Sequence, residues 1–205
     1  MDLLITLGRT LGFSLAAGVN LYATVALLGL SARFGWVDLP PQFEVFDHDL
    51  VIAGAIVLYL VDFVADKVPW VDTLWDAVHT LVRPVGGALL AVATLGDASP
   101  AVQGLVALLG GSVAASSHFT KAGTRVMVNT SPEPFSNWIL SVLEDAFVIG
   151  LGYLALQYPV AALLVVLVVL AIIGIFAAAI VRAARSRFRP RGTQEAGGQP
   201  TVGRA

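Results

Sequence analysis

Residues 62 to 87 read DFVADKVPWVDTLWDAVHTLVRPVGG, a run with four carboxylates, a histidine and an arginine set between apolar segments of membrane-spanning length. A charge at the bilayer centre costs about 3 kcal/mol on insertion scales, so these groups must face protein or water. Taken as a helix from Trp70, the residues Asp72, Asp76, His79 and Arg83 fall at i, i+4, i+7 and i+11 and form one stripe. The other face is apolar. Asp62 and Asp66, with Tyr59, extend the same polarity along the preceding segment.

The surrounding composition makes this a membrane protein. Of its residues 57% are hydrophobic and 13% charged, and the mean hydropathy is +0.83. Apolar segments run over roughly 5–32, 50–66, 100–120, 135–157 and 158–181, and the stripe helix joined to the stretch after Pro84 supplies a sixth. Each needs about 20 residues to cross. The expected fold is therefore all-α, a polytopic membrane helix bundle of about six transmembrane helices over residues 1–184. An Arg/Gly/Pro-rich cytoplasmic tail over residues 185–205 is expected to be disordered. The first segment is too long for a signal-peptide core and is read as a retained span.

Charge placement sets the expected orientation. Arg182, Arg185, Arg187, Arg189 and Arg191 follow the last segment, which puts the tail in the cytoplasm by the positive-inside rule. Six crossings then put the N-terminus, with Arg9, on the same side of the inner membrane. The loop from Arg33 to Asp49 becomes external and acidic, whereas Lys67 and the stretch from Lys121 to Arg125 become internal loops.

Several local features bear on packing. In GFSLAAGVNLYAT, Ser14 and Gly18 have the small-residue spacing that lets helices approach closely, and Tyr22 reads as packing. Asn20 needs a polar partner or a path. WVDLPPQFEVFDHD predicts a short extended or interfacial segment, with His48 as part of a solvated cluster rather than a metal ligand. Pro69 predicts the start of the third helix, with Asp72 in its first turn. Pro84, Gly86 and Gly87 predict that this helix is kinked or broken beside a cavity. Pro134, Asn137, Ser141, Glu144 and Gly152 match Pro69, Asp72, Asp76, His79 and Gly87 at an offset of 65, a candidate internal repeat.

The residues proposed to line a path are Asn20, Asp62, Asp66, Asp72, Asp76, His79, Arg83, Asn137, Ser141 and Glu144. The function expected from them is transport or conduction of a small ion or solute. The competing reading is a scaffold or assembly factor whose buried charges are structural, with Asp76 paired to Arg83 or His79 to Glu144. Enzyme chemistry is not expected, because the chain has no cysteine, no zinc-protease His-Glu-x-x-His and no marked serine or aspartate constellation. The bilayer, a small ion or solute and further copies of the chain are the expected partners. No cofactor and no nucleic acid is expected, since the arginine tail suits anionic lipid.

The stretches GVNLYATVALLGLSARFG, FVADKVPWVDTLWDAVHTLVRPVGGALLA and NTSPEPFSNWILSVLED resemble the bacterial and plastid membrane family catalogued as domain of unknown function 4126. The likeness runs from about Gly12 to Gly152. It implies a shared membrane fold whose motif residues here are Asn20, Asp62, Asp66, Lys67, Asp72, Asp76, His79, Arg83, residues 132–137, Glu144 and Asp145. It implies no activity. DFVADK is also similar to the acidic-x-x-x-Asp-Lys motif of a family of cation/proton exchangers, whose second copy this chain lacks.

Overall fold

A computed structural model describes residues 3–37, 39–130 and 135–187. The described residues are helical apart from short connections: α1 Leu3–Phe34, a 3-10 turn over Pro41–Phe46, α2 Asp49–Ala65, α3 Pro69–Leu95, α4 Pro100–Asn129, α5 Phe135–Gln157 and α6 Pro159–Arg187. Five of these, all but the shorter α2, are long and apolar enough to cross a membrane. The chain is a polytopic helical bundle through Ile173. From Gly174 the rest of α6 forms a separate unit, an apolar helix with exposed side chains.

Reversed polarity organises the bundle. On α3, Asp72, Asp76, His79, Arg83, Gly87, Leu90, Ala91 and Thr94 are buried. Trp70, Leu74, Val78, Leu81, Val85 and Leu89 point outward. The predicted stripe is thus the inner face, and the apolar face is left for lipid.

α1 is at the centre, against α2, α3, α4 and α5. It is not one straight span. Asn20 has extended backbone (φ −148°, ψ 98°) between two helical arms. The arms fold back on each other: Gly12 abuts Ala155 of α5 while Leu27 packs onto Gly152, one turn away on the same helix. A straight helix would hold residues 12 and 27 about 22 Å apart along its axis. Likewise Ser14 donates to the Gly87 carbonyl of α3 at 3.2 Å, and Leu21, on the other arm, packs onto Gly86. Gly8 meets the start of α6 at Pro159, and Gly29 meets Phe46 and Ile52 at the start of α2. Both ends of the V therefore lie at one end of the bundle, with Asn20 at its inward apex.

The amide side chain accounts for the break. Asn20 Oδ1 accepts the Ala23 backbone N–H at 3.0 Å, capping the second arm, while Thr24 Oγ1 donates to the Asn20 carbonyl at 2.8 Å. Asn20 Nδ2 donates to Asp145 Oδ1 of α5 at 3.1 Å. Of the kink or break expected beside Pro84, the break is absent, since α3 has helical backbone through Pro84, Gly86 and Gly87. Those glycines serve contact instead. A Cβ on Gly87 would come within 2.3 Å of the Ala114 Cβ of α4.

Other expectations shift for similar reasons. Lys121 and Arg125 lie within α4, not in a loop, because their four-residue spacing continues the buried face of Ala114 and Ser117. The Pro-Pro segment forms a 3-10 turn rather than an extended one, and Phe43 and Phe46 drop into the core beside Phe13. His48 caps α2 by accepting the Leu50 N–H at 3.2 Å. Arg33 joins Asp47 and Asp49.

The offset of 65 extends through the burial pattern: Asp72, Asp76, Arg83, Gly87, Leu90 and Ala91 of α3 correspond to buried Asn137, Ser141, Val148, Gly152, Ala155 and Leu156 of α5. Both helices pack on α1. Of the residues the sequence analysis used, Asp38, residues 131–134 and the tail from 188 onward lie outside the described residues, whereas α6 continues past residue 184 to Arg187.

Candidate functional site

The polar residues of α2, α3, α4 and α5 converge inside the bundle and sort into two connected clusters. In the first, the Arg83 guanidinium is shared by two carboxylates. Its Nη2 donates to Asp62 Oδ1 at 2.9 Å and its Nη1 to Asp76 Oδ1 at 3.1 Å. Arg83 and Asp62 are fully buried, and Asp76 is 5% exposed. Trp75 Nε1 also donates to Asp62 Oδ1, at 2.5 Å.

Hydrogen-bond chemistry assigns the protons on both histidines here. His79 Nδ1 lies 2.7 Å from the Trp75 carbonyl, which only accepts, so Nδ1 carries a proton. Its Nε2, 2.8 Å from Tyr22 Oη on the second arm of α1, is free to accept from that hydroxyl. His118 Nδ1 faces Arg83 Nη1 at 3.4 Å; arginine only donates, so this nitrogen accepts and His118 is neutral, with Nε2 directed at Thr80 Oγ1 at 3.3 Å. Tyr22, expected to be a packing residue, is thus a polar contact between α1 and α3, and His79 pairs with it rather than with Glu144.

The second cluster centres on Arg125. Its Nη1 donates to the Asp66 carbonyl at 3.0 Å and to Asn137 Oδ1 at 2.8 Å; its Nη2 donates to Asp66 Oδ2 at 2.9 Å and to Glu144 Oε2 at 2.5 Å. Lys121 Nζ completes the square, 3.0 Å from Asp66 and 3.4 Å from Glu144. Asn137 Nδ2 returns a hydrogen bond to the Asp66 carbonyl at 2.9 Å. Lys67, next to Asp66 in sequence, turns elsewhere: its Nζ donates to the Phe63 carbonyl at 2.9 Å and reaches Ser141 Oγ at 3.5 Å.

Charge is balanced unevenly between the clusters. Lys121 and Arg125 offset Asp66 and Glu144. Arg83 must serve both Asp62 and Asp76. Asp72 accepts from Asn129 Nδ2 at 2.7 Å, and Asp145 from Asn20 and Tyr59, but neither has a cation within 4.0 Å among the described residues. Asp62 and Asp76 thus share one cation, and Asp72 and Asp145 have neutral partners. Asp62, Asp72 and Asp76 each have one carboxylate oxygen, Asp62 Oδ2, Asp72 Oδ1 and Asp76 Oδ2, that is buried without a hydrogen-bond partner. Such groups are costly to leave unsatisfied in low dielectric.

Of the predicted path residues, Asp62, Asp76, His79 and Arg83 fall in the first cluster and Asp66, Asn137, Ser141 and Glu144 in or beside the second, while Asp72 bonds to Asn129 and Asn20 to Asp145 at the apex of α1. The members absent from the predicted path are Lys121, Arg125, His118, Trp75, Asn129, Tyr22 and Asp145, together with Tyr59, which the sequence placed on the stripe only. The Ser117, Lys121, Arg125 spacing is the signal that would have found the two cations. No group of three or more His, Asp or Glu side chains suited to a metal ion is formed among the described residues.

No curated protein and no solved structure matches this chain. A family model does, over residues 7–179, which takes in most of α1 with its break at Asn20, the charged core and most of the apolar span of α6. This chain is a member of the membrane family described as domain of unknown function DUF4126.

Proposed function

We propose that this protein carries a small ion or solute across the inner membrane, with the buried charged core as its site. The observation that carries the reading is the broken backbone of α1 at Asn20, set within the bundle and hydrogen-bonded to the core through Asp145 and, two residues on, through Tyr22 to His79. Non-helical backbone at membrane depth is tolerated where it is buried in protein or lines a cavity, and broken helices border substrate sites in carriers. The acidic and basic groups of the core are 0–7% exposed apart from Glu144 and Lys67. That suits an occluded carrier better than an open pore.

The structural reading has its own support, because Arg125 ties together α2, α4 and α5. Flux measurements separate the two. Liposomes containing the purified protein are tested with protons, Na⁺, K⁺, Mg²⁺ and Mn²⁺, beside Asp76→Asn and Glu144→Gln. The expected outcome is flux that falls at least tenfold in both variants while both elute as folded protein. Variants that unfold, or a wild-type protein that moves nothing, would favour the scaffold.

The same reading includes a topology. Charge bias puts the acidic segment from Arg33 to Asp49 outside, and the V of α1 brings the N-terminus to that side, reversing the N-terminal placement inferred from six crossings. The chain has no cysteine, so single cysteines report cleanly. Cysteines placed at Leu3 and Trp36 should be labelled by an impermeant maleimide from the same face, and one at Thr130 from the other. Labelling of Leu3 and Trp36 from opposite faces would show α1 to be a straight span.

A further inference from the structure

We propose that the groove between α4, α5 and the part of α6 before Gly174 holds one acyl chain of a phospholipid, drawn from the leaflet at the end of the bundle where α4 stops and α5 begins. This goes beyond the carrier reading and does not depend on it.

The groove has a volume of about 360 Å³. Thr120 and Thr124 of α4, Leu143 and Phe147 of α5 and Ile172 of α6 line its sides, and buried Leu15 and Val19 of the first arm of α1 form its floor. It follows from the turn of α1 at Asn20. α4 and α5 each pack along α1 but hardly approach one another, so past the apex a gap is left on the side of α6. Ser117 to Thr124 on α4 and Leu140 to Phe147 on α5 each give the gap a length of about 10 Å. Its upper end lies about 8 Å inside the end of α4, where Asn129 bonds to Pro69 at the start of α3. Trp70 and Trp138, exposed at that same end of the bundle, mark the headgroup level. The groove thus begins just below the headgroups and runs toward mid-bilayer, the course that a lipid chain takes.

Its chemistry selects hydrocarbon. Ser117 Oγ donates to the Leu15 carbonyl at 2.9 Å, Thr120 Oγ1 to the Ser116 carbonyl at 2.8 Å and Thr124 Oγ1 to the Thr120 carbonyl at 2.9 Å. Lys121 and Glu144, which also border it, are engaged with each other and with Asp66 and Arg125. The polar groups on the wall are therefore satisfied within the protein, and the surface left toward the groove is almost wholly carbon. Water or an ion would find no partner there. An apolar cavity of about 150 Å³ stays dry and takes up a benzene ring, so this groove has room for a longer hydrocarbon. A helix from a second copy, about 10 Å across, would need roughly 800 Å³ over the same length, more than twice the space. Lipid tails are as apolar as the wall, so the chain is held by close packing, which an empty groove would forfeit. Its inner end meets Val19, the residue before the apex of α1.

The test uses the full chain in vesicles of phosphatidylethanolamine and phosphatidylglycerol, with a small fraction of phosphatidylethanolamine carrying a diazirine midway along one acyl chain. Illumination followed by mass spectrometry maps the adducts. The expected result is labelling of Leu143, Phe147 and Ile172 several-fold above that of Val78 and Leu81, which are exposed at a matching depth on α3. Thr120→Trp and Leu143→Trp, which fill the groove from exposed positions on its two walls, should bring labelling of Phe147 and Ile172 down to the α3 level. Ser112→Trp, exposed on α4 outside the groove, should leave it unchanged. Even labelling of groove and α3 overturns the site, as does undiminished labelling in whichever filled variant elutes as folded protein. An unlabelled groove with a dimer that Thr120→Trp disrupts overturns it in favour of a second copy.

Discussion

Arg125→Ala is expected to destabilise the protein by about 3–5 kcal/mol, the cost of removing one partner from a buried ion pair. The side chain is 1% exposed and donates to Asp66, Asn137 and Glu144 at once. Its loss leaves two carboxylates with Lys121 alone, and the backbone carbonyl of Asp66, the C-cap of α2, keeps the Asn137 amide but loses its charged donor. Against a typical total stability of about 5–15 kcal/mol, that is enough to deplete folded protein during purification. Arg125→Lys should recover part of the loss, since an ammonium keeps the charge without the planar fork that reaches three partners. Arg33→Ala is the contrast. Arg33 also joins two carboxylates, Asp47 and Asp49, but at exposed positions where such pairs contribute about 0–1 kcal/mol. Melting followed by size-exclusion chromatography reads all three, and an Arg125→Ala protein melting within a degree or two of wild type would contradict the assigned network.

Gly18→Ala should be nearly as damaging, although it adds one methyl group. A Cβ there would lie 1.9 Å from Ser117 Oγ, 2.2 Å from the Ala114 carbonyl oxygen and 2.8 Å from its carbon. The serine can rotate; the α4 backbone cannot. α1 must then separate from α4 two residues before the apex, moving Asn20 away from Asp145. Overpacking of this kind costs about 1–3 kcal/mol, and transport should fall with it. Gly54→Ala, where no atom lies within 4 Å, should leave both properties intact. A Gly18→Ala protein with wild-type melting and flux would mean that the first arm of α1 does not cross α4 closely.

The two variants probe different kinds of information. The stripe on α3 was legible because its residues lie on one helix, where a period of 3.6 converts spacing into a face. Asp76 and Arg83 could therefore be paired on paper. Arg125 could not. Its partners come from α2 and α5, and a cation near the end of an apolar segment carries the same local signal whether it tops a helix inside the bundle or enters a loop. The break in α1 was misplaced for a related reason. Pro84 and the glycines after it are the strongest local breakers in the chain, yet close packing against α1 and α4 holds that segment helical. Asn20 is a weak breaker by propensity, and becomes a strong one because Asp145 and the Ala23 amide engage both ends of its side chain.

Membrane residence, the all-helical bundle and the inward face of α3 were determined by the sequence alone, because they depend on hydropathy and on spacing within single segments. Where α1 turns back, which cation serves which carboxylate, and which oxygens are left without a donor were decided by the tertiary structure. Those properties depend on distances between residues on different helices, such as Lys121 to Asp66 and Asn20 to Asp145. In a low-dielectric core such distances decide whether a buried charge is offset, shared or left to bind something else.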